Sequence, residues 1–231
     1  MRCFETRIVE NTRLVDDIWR MTVDAPKRPK PGQFYMLRVE GELLPRPISV
    51  CEIGERTVTF AYQIVGNGTK KLANMRVSDP INITGPLGNG FDLDAIKRYE
   101  RVALVSGGIG IAPLIELAKC LDSNKVASFC GFSDCAYLVD KLPNTRSLIG
   151  GFVTNLFEAS EFDLVVACGN DGFTRAAVKK CRNVTPLLVS LDKHMACGVG
   201  ACLVCSCKTV NGTKRCCADG PVFWGEEISL D

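Results

Sequence analysis

Six of the thirteen cysteines crowd between Cys197 and Cys217, in a stretch too poor in aliphatic residues to pack a core alone. Something other than hydrophobic burial must hold that segment together, which bounds what the chain can become. Cys197, Cys202, Cys205 and Cys217 follow C-x4-C-x2-C-x11-C, and the first part has the spacing of plant-type 2Fe-2S ligation. Four thiolates are what two irons need. Gly198 and Gly200 let the backbone wrap closely and aim N–H groups at the sulfurs. A structural zinc site is the rival, although zinc sites more often use paired two-residue spacings. Cys207 and Cys216 are extra, and spacing alone does not separate Cys216 from Cys217 as fourth ligand.

The other seven cysteines stand singly, mostly among apolar neighbours where a thiol serves as a small hydrophobe. An odd count, with no signal-peptide core after Met1-Arg2-Cys3-Phe4-Glu5, argues against a disulfide framework. A net charge of +2 from 28 basic and 26 acidic residues gives no one-signed field, so a nucleic-acid partner is not expected. The longest apolar stretch, 102–115, is broken by Ser106 and three glycines and is too short to span a bilayer. A cytoplasmic protein with no membrane partner is the expectation.

Three patterns follow one another along the chain. Up to about Thr84, short segments at 18–23, 34–39, 58–64 and 80–84 are separated by Pro and Gly clusters, the rhythm of a small antiparallel barrel. One helix is predicted near 70–75, with Thr69 as its cap. From Arg101 the pattern becomes that of a parallel α/β unit: an apolar strand at 102–106, a glycine turn, a helix at 113–121, and a strand at 126–132. A strand at 163–168, a helix at 173–181 and a strand at 186–191 complete it. The cysteine-rich segment comes last. The expected modules are 1–94, 95–191 and 192–231.

Arg46-Pro47-Ile48-Ser49 lies where a barrel strand should run, with Arg46 suited to a pyrophosphate and Ser49 to a flavin ring. Tyr62-Gln63-Ile64 leads into the Gly66-Asn67-Gly68-Thr69 turn, whose free N–H groups suit a phosphate. Gly107-Gly108-Ile109-Gly110-Ile111-Ala112-Pro113 sits between strand and helix, as a nucleotide turn requires. Cys168-Gly169 ends a later strand at the same carboxyl edge. Cys168 could face a nicotinamide or simply be buried. His194, the only histidine, reads as structural.

Taken in order, these motifs, together with Gly85-Pro-Leu-Gly-Asn-Gly-Phe91 and Cys217-Ala-Asp-Gly-Pro-Val-Phe223, closely resemble the electron-transfer subunits of class B dihydroorotate dehydrogenase, within the ferredoxin reductase superfamily. The resemblance implies an antiparallel flavin-binding barrel, a parallel-sheet nucleotide-binding domain and a small C-terminal 2Fe-2S module. It implies FAD held by Arg46 to Ser49, Tyr62 to Ile64, Gly68 and Thr69, and NAD as electron acceptor at Gly107, Gly108, Gly110, Cys168 and Gly169. It selects Cys217 as fourth cluster ligand. The implied partner is an FMN-containing catalytic subunit in a heterotetramer of two plus two, working in pyrimidine biosynthesis. Similar proteins carry a longer, acidic segment before the stretch matching Gly151-Phe-Val-Thr154, and here only Asn144-Thr-Arg-Ser-Leu-Ile149 stands there. Two other readings remain: a related flavin and iron-sulfur subunit serving a glutamate synthase-like or bifurcating transhydrogenase complex, and a non-catalytic zinc-bearing assembly module.

Overall fold

The computed structural model describes residues 3–229, so Met1-Arg2 and the last two residues of the expected third module lie outside it. Strands β1 (Cys3–Val15), β2 (Ile18–Asp24), β3 (Phe34–Arg38), β4 (Arg46–Ile53), β5 (Thr57–Gln63) and β6 (Pro80–Leu87) close into a barrel in the order β1-β2-β5-β4-β3-β6. Closure leaves no free edge. Ile8, Met21, Val23, Tyr35, Leu37, Phe60, Tyr62 and Ile83 fill its interior. The barrel strands found at 18–24, 34–38, 57–63 and 80–87 match the alternating segments of the sequence.

Helix α1 (Asn67–Asn74) starts earlier than the sequence predicts, with Gly66 and not Thr69 as its N-cap. Thr69 occupies the first turn, and its hydroxyl accepts the N–H groups of Val65 and Gly66 at 3.0 and 3.2 Å. A glycine turn and a helix start are thus one feature.

After the short α2 (Leu93–Ile96), strands β7 (Val102–Gly107), β8 (Val126–Phe132), β9 (Thr145–Ile149), β10 (Leu164–Gly169) and β11 (Leu187–Leu191) form the parallel part of a six-stranded sheet. Helices α3 (Ala112–Lys119) and α4 (Asp171–Cys181) cross over between them. Alternate residues of β7 and β10 enter different cores: Ala103, Val105, Val165 and Ala167 on one face, Val102, Leu104, Leu164 and Val166 on the other. Burial on both faces explains why these strands read as continuous apolar runs.

The C-terminal segment contributes a hairpin, β12 (Ser206–Thr209) and β13 (Gly212–Arg215), then α5 (Cys216–Asp219) and β14 (Val222–Trp224). β14 pairs antiparallel with β11 and ends the sheet order β14-β11-β10-β7-β8-β9. Cys205, Cys207, Cys216 and Cys217 share one core with Phe34 and Met36 of the barrel and Val189 of the sheet. The segment therefore borrows apolar surface from both neighbours. Barrel and sheet also meet directly: Glu116 of α3, buried, accepts the N–H of Ile53 at 2.9 Å, and Lys119 pairs with Glu52 at 2.7 Å.

Candidate functional site

A cavity of about 1430 Å³ lies between the barrel, the carboxyl edge of the sheet and the start of the cysteine segment. Pockets for one drug-sized ligand run to roughly 300–1,000 Å³, so there is room for two nucleotides. Arg46, Pro47, Ile48 and Ser49 of β4, Tyr62 and Gln63 at the end of β5, and Thr69 form its barrel wall. Arg46 is held from three sides. Glu42 accepts from its Nη2 at 2.6 Å, the Leu44 carbonyl accepts from Nη1, and the guanidinium lies where a Cβ on Gly68 would stand. Lys71 of α1 pairs with the other Glu42 oxygen at 2.8 Å, tying the β3–β4 loop to the helix. The first N–H groups of α1 have no intrahelical acceptor, which with Arg46 makes a donor cluster for a diphosphate. Tyr62 donates to Asn11 at 3.2 Å, and burial pushes its phenol up, so it stays neutral.

Gly107 to Gly110, with Ala112 and Pro113, form the facing wall. Gly108 has φ +54°, and a Cβ on Gly110 would lie 2.2 Å from the Cys168 carbonyl oxygen, so the turn packs directly on the end of β10. Cys168 lines the cavity but is only 6 % exposed; burial pushes its thiol up to about 12, and the Ser190 hydroxyl lies beside it. That is an inert thiol shaping a wall, not a nucleophile.

The four candidate cluster thiols pair two and two. Cys197 lies beside Cys202, and Cys205 beside Cys217. Two pairs suit a two-iron cluster better than a tetrahedral zinc ion. Gly200 N–H donates to Cys217 Sγ at 3.0 Å, Cys217 N–H to Cys205 Sγ at 3.4 Å, and Val199 N–H to Cys197 Sγ at 3.4 Å. Burial works against the Cys197 thiolate, yet backbone N–H groups from Val199, Cys202 and Ala201 outweigh it and bring the thiol down to about 6. The Cys216 thiol pairs instead with Cys207. Arg215 fixes the loop, donating to Asp219 from Nε at 3.0 Å and to the Gly200 carbonyl from Nη1 at 3.3 Å.

The cluster loop rests on the barrel. A Cβ on Gly198 (φ +72°) would meet Met36 at 2.9 Å and Leu87 at 3.0 Å. Phe34 belongs to the same core as Cys205 and Cys217 and also lines the cavity. The two family motifs at 85–91 and 217–223 meet, with Asn89 N–H donating to the Gly220 carbonyl at 2.7 Å.

Of the candidates from the sequence, all the cavity residues line it except Ile64 and Gly68; Gly68 lies beneath Arg46, and the Ile64 N–H bonds the Asp17 carbonyl. His194 lines the cavity too. Sequence reasoning misses Glu42, whose only signal is a carboxylate four residues before Arg46, and the wall from Gly150 to Thr154 after β9.

Residues 192–229 match the family model of the iron-sulfur cluster binding domain of dihydroorotate dehydrogenase B. The chain is 45% identical to the dihydroorotate dehydrogenase B (NAD(+)) electron transfer subunit of Clostridium perfringens, over 100% of this chain and 99% of that one. It is 40% identical to the same subunit of Clostridium acetobutylicum, over 97% and 96%. A chain of the NADH-dependent reduced ferredoxin-NADP oxidoreductase of flavin-based electron bifurcation superposes with a TM-score of 0.85 at 28% identity, covering 98% of this chain and 90% of that one. A ferredoxin NADP+ reductase from Neisseria gonorrhoeae shares the fold, with a TM-score of 0.66 at 17% identity over 80% and 93%. With two-and-two thiols, a cavity for two nucleotides and full-length likeness, the chain belongs to the family of dihydroorotate dehydrogenase B electron transfer subunits, oxidoreductases of the ferredoxin reductase fold.

Proposed function

We propose that this chain takes electrons from an FMN-containing catalytic subunit that oxidises dihydroorotate, and delivers them through a 2Fe-2S cluster and FAD to NAD+. The observation that carries this reading is the seating of the cluster loop on Met36 and Leu87, with Phe34 spanning from the thiol core to the cavity. When bound, the flavin exchanges a hydride with nicotinamide and single electrons with the cluster.

The residues divide this work. Arg46 and the start of α1, with Gly68 and Thr69, hold the diphosphate of FAD; Pro47, Ile48, Ser49, Tyr62, Gln63 and Ile64 shape the slot for its ring and ribityl chain. Gly107, Gly108 and Gly110 let the backbone approach the nicotinamide dinucleotide, and Cys168 and Gly169 floor its ring site. Cys197, Cys202, Cys205 and Cys217 ligate the cluster, with backbone N–H groups on their sulfurs favouring the reduced state. The modules are 1–94, 95–191 and 192–231, and the assembly contains two of each subunit. The family's role as an electron transfer subunit supports a partner; no helix among the described residues is long and apolar enough to cross a membrane.

The test is reconstitution with the FMN subunit. Dihydroorotate should then drive NADH formation, and Cys217→Ser should abolish it while dihydroorotate still bleaches the FMN. NADH formation undiminished by loss of the cluster would refute the route. A second reading, service to a bifurcating transhydrogenase-type partner, draws on the TM-score of 0.85 to the bifurcating enzyme's chain. It predicts no dihydroorotate-dependent turnover in that assay. Iron and sulfide analysis separates both from a zinc-bearing assembly module.

A further inference from the structure

Among the described residues two carboxylates line the cavity, Glu42 and Asp192. Glu42 is taken up by Arg46 at 2.6 Å and by Lys71 at 2.8 Å. Asp192 accepts no hydrogen bond and joins no ion pair among the described residues. Its neighbour Lys193 is engaged elsewhere, with Asp171 at 2.7 Å. Asp192 is exposed, so its carboxylate is free to meet whatever fills the cavity.

The sheet register places this carboxylate. β10 and β11 run parallel, with Cys168 opposite Ser190 and Gly169 opposite Leu191, and Asp192 is the next residue past that last pair. It therefore stands at the sheet edge beside Cys168 and Gly169, the floor of the nicotinamide ring site in the reading above. Cys168 is close enough to feel its charge, which adds to the burial that raises the thiol. The charged and titratable groups facing Asp192 are Cys168 of β10, Asp171 of α4, and Lys193 and His194 of the link to the cluster loop. Burial is the largest influence on Asp192 and pushes its carboxyl up; Asp171 adds to that push, and His194 and Lys193 oppose it.

The oxidised nicotinamide ring carries a positive charge, and hydride transfer to it leaves a neutral ring. An unpaired carboxylate at the ring end of the cavity attracts the first and gains nothing from the second. We propose that Asp192 is a specificity-determining residue that responds to the charge of the nicotinamide ring, holding NAD+ more tightly and letting NADH go once the hydride has cancelled that charge. This rests on the nucleotide reading above. The other lining carboxylate, Glu42, cannot take the role, because two cations already occupy it.

The test is anaerobic calorimetric titration of the flavin- and cluster-loaded chain, with NAD+ added to oxidised protein and NADH to protein reduced beforehand, so that no electrons move during binding. Asp192→Asn, which has no hydrogen bond to lose, should weaken NAD+ about tenfold, the order of one opposite-charge contact partly open to water, and change NADH by less than about twofold. Asp192→Glu should keep most of the parental NAD+ affinity. In the parent, NAD+ affinity should rise as pH climbs through the raised value of the Asp192 carboxyl; the asparagine variant keeps Cys168, Asp171, Lys193 and His194 and should lose that rise. Unchanged NAD+ affinity in the asparagine variant, or equal weakening of both nucleotides, would overturn this inference and leave nucleotide binding standing. Failure of the parent chain to bind either nucleotide would overturn the nucleotide reading itself, and this inference with it.

Discussion

Replacing Gly68 by alanine should separate cofactor affinity from stability. The added Cβ would lie 2.2 Å from Arg46 Nε and 2.3 Å from both Cζ and Nη2. Ordinary contact begins about 1 Å further out, so the guanidinium must withdraw from its place between Glu42 and α1. Gly68 itself has helical backbone within α1, where alanine is favoured over glycine by up to about 1 kcal/mol. The apo chain should therefore melt no lower than the parent. FAD should bind more weakly by the worth of one charge-assisted hydrogen bond, about 1.5–3 kcal/mol, or roughly ten- to a hundred-and-fifty-fold. Flavin-fluorescence quenching on the apo chain measures the affinity, and circular dichroism melting the stability. The double variant with Arg46→Ala should lose little beyond Arg46→Ala alone, because both act through one group. Parental FAD affinity in Gly68→Ala, or a loss that merely tracks a collapsed melt, would refute the reasoning.

Gly110→Ala should destabilise the fold by at least about 1–3 kcal/mol in urea unfolding, because its Cβ meets the Cys168 carbonyl and the Gly169 nitrogen, which are β10 backbone and do not give. Cys217→Ser should lose the visible absorption and iron of the cluster, whereas Cys216→Ser, whose thiol pairs with Cys207, should keep both. Burial pushes the Glu52 carboxyl up, but Lys119, Lys141 and Arg20 together hold it below the usual range. Its stabilisation is then full above the unfolded glutamate value of about 4.3 and disappears as pH falls through the lower folded value. Glu52→Gln should accordingly flatten the acid limb of a melting-temperature profile and leave its alkaline limb unchanged.

Much of this architecture is legible in the sequence because it rests on local rules. Burial on both faces gives β7, β8, β10 and β11 their largely apolar runs, and Pro113 marks the start of α3. The long β1 is hidden because it is polar over most of its length and is defined by pairing with β2 and β6 far along the chain. β14 is too short for any periodicity, and only its pairing with β11 makes it a strand. At the site, Arg46 can be read from its motif but Glu42 cannot, since their pairing depends on a loop with no repeat and on Lys71 approaching from α1. The choice between Cys216 and Cys217 also needs three dimensions. The first turn of α5 sends one thiol toward Cys207 and the other toward Cys205 and the Gly200 N–H.

The central claim is that electrons move between a nicotinamide nucleotide and the cluster within this one chain. An anaerobic titration of the purified, loaded chain with NADH, followed by visible absorption for the flavin and by electron paramagnetic resonance for the cluster, tests it directly. Flavin bleaching together with the signal of a reduced 2Fe-2S centre is the predicted result. A flavin and cluster that both stay oxidised in excess NADH would contradict it.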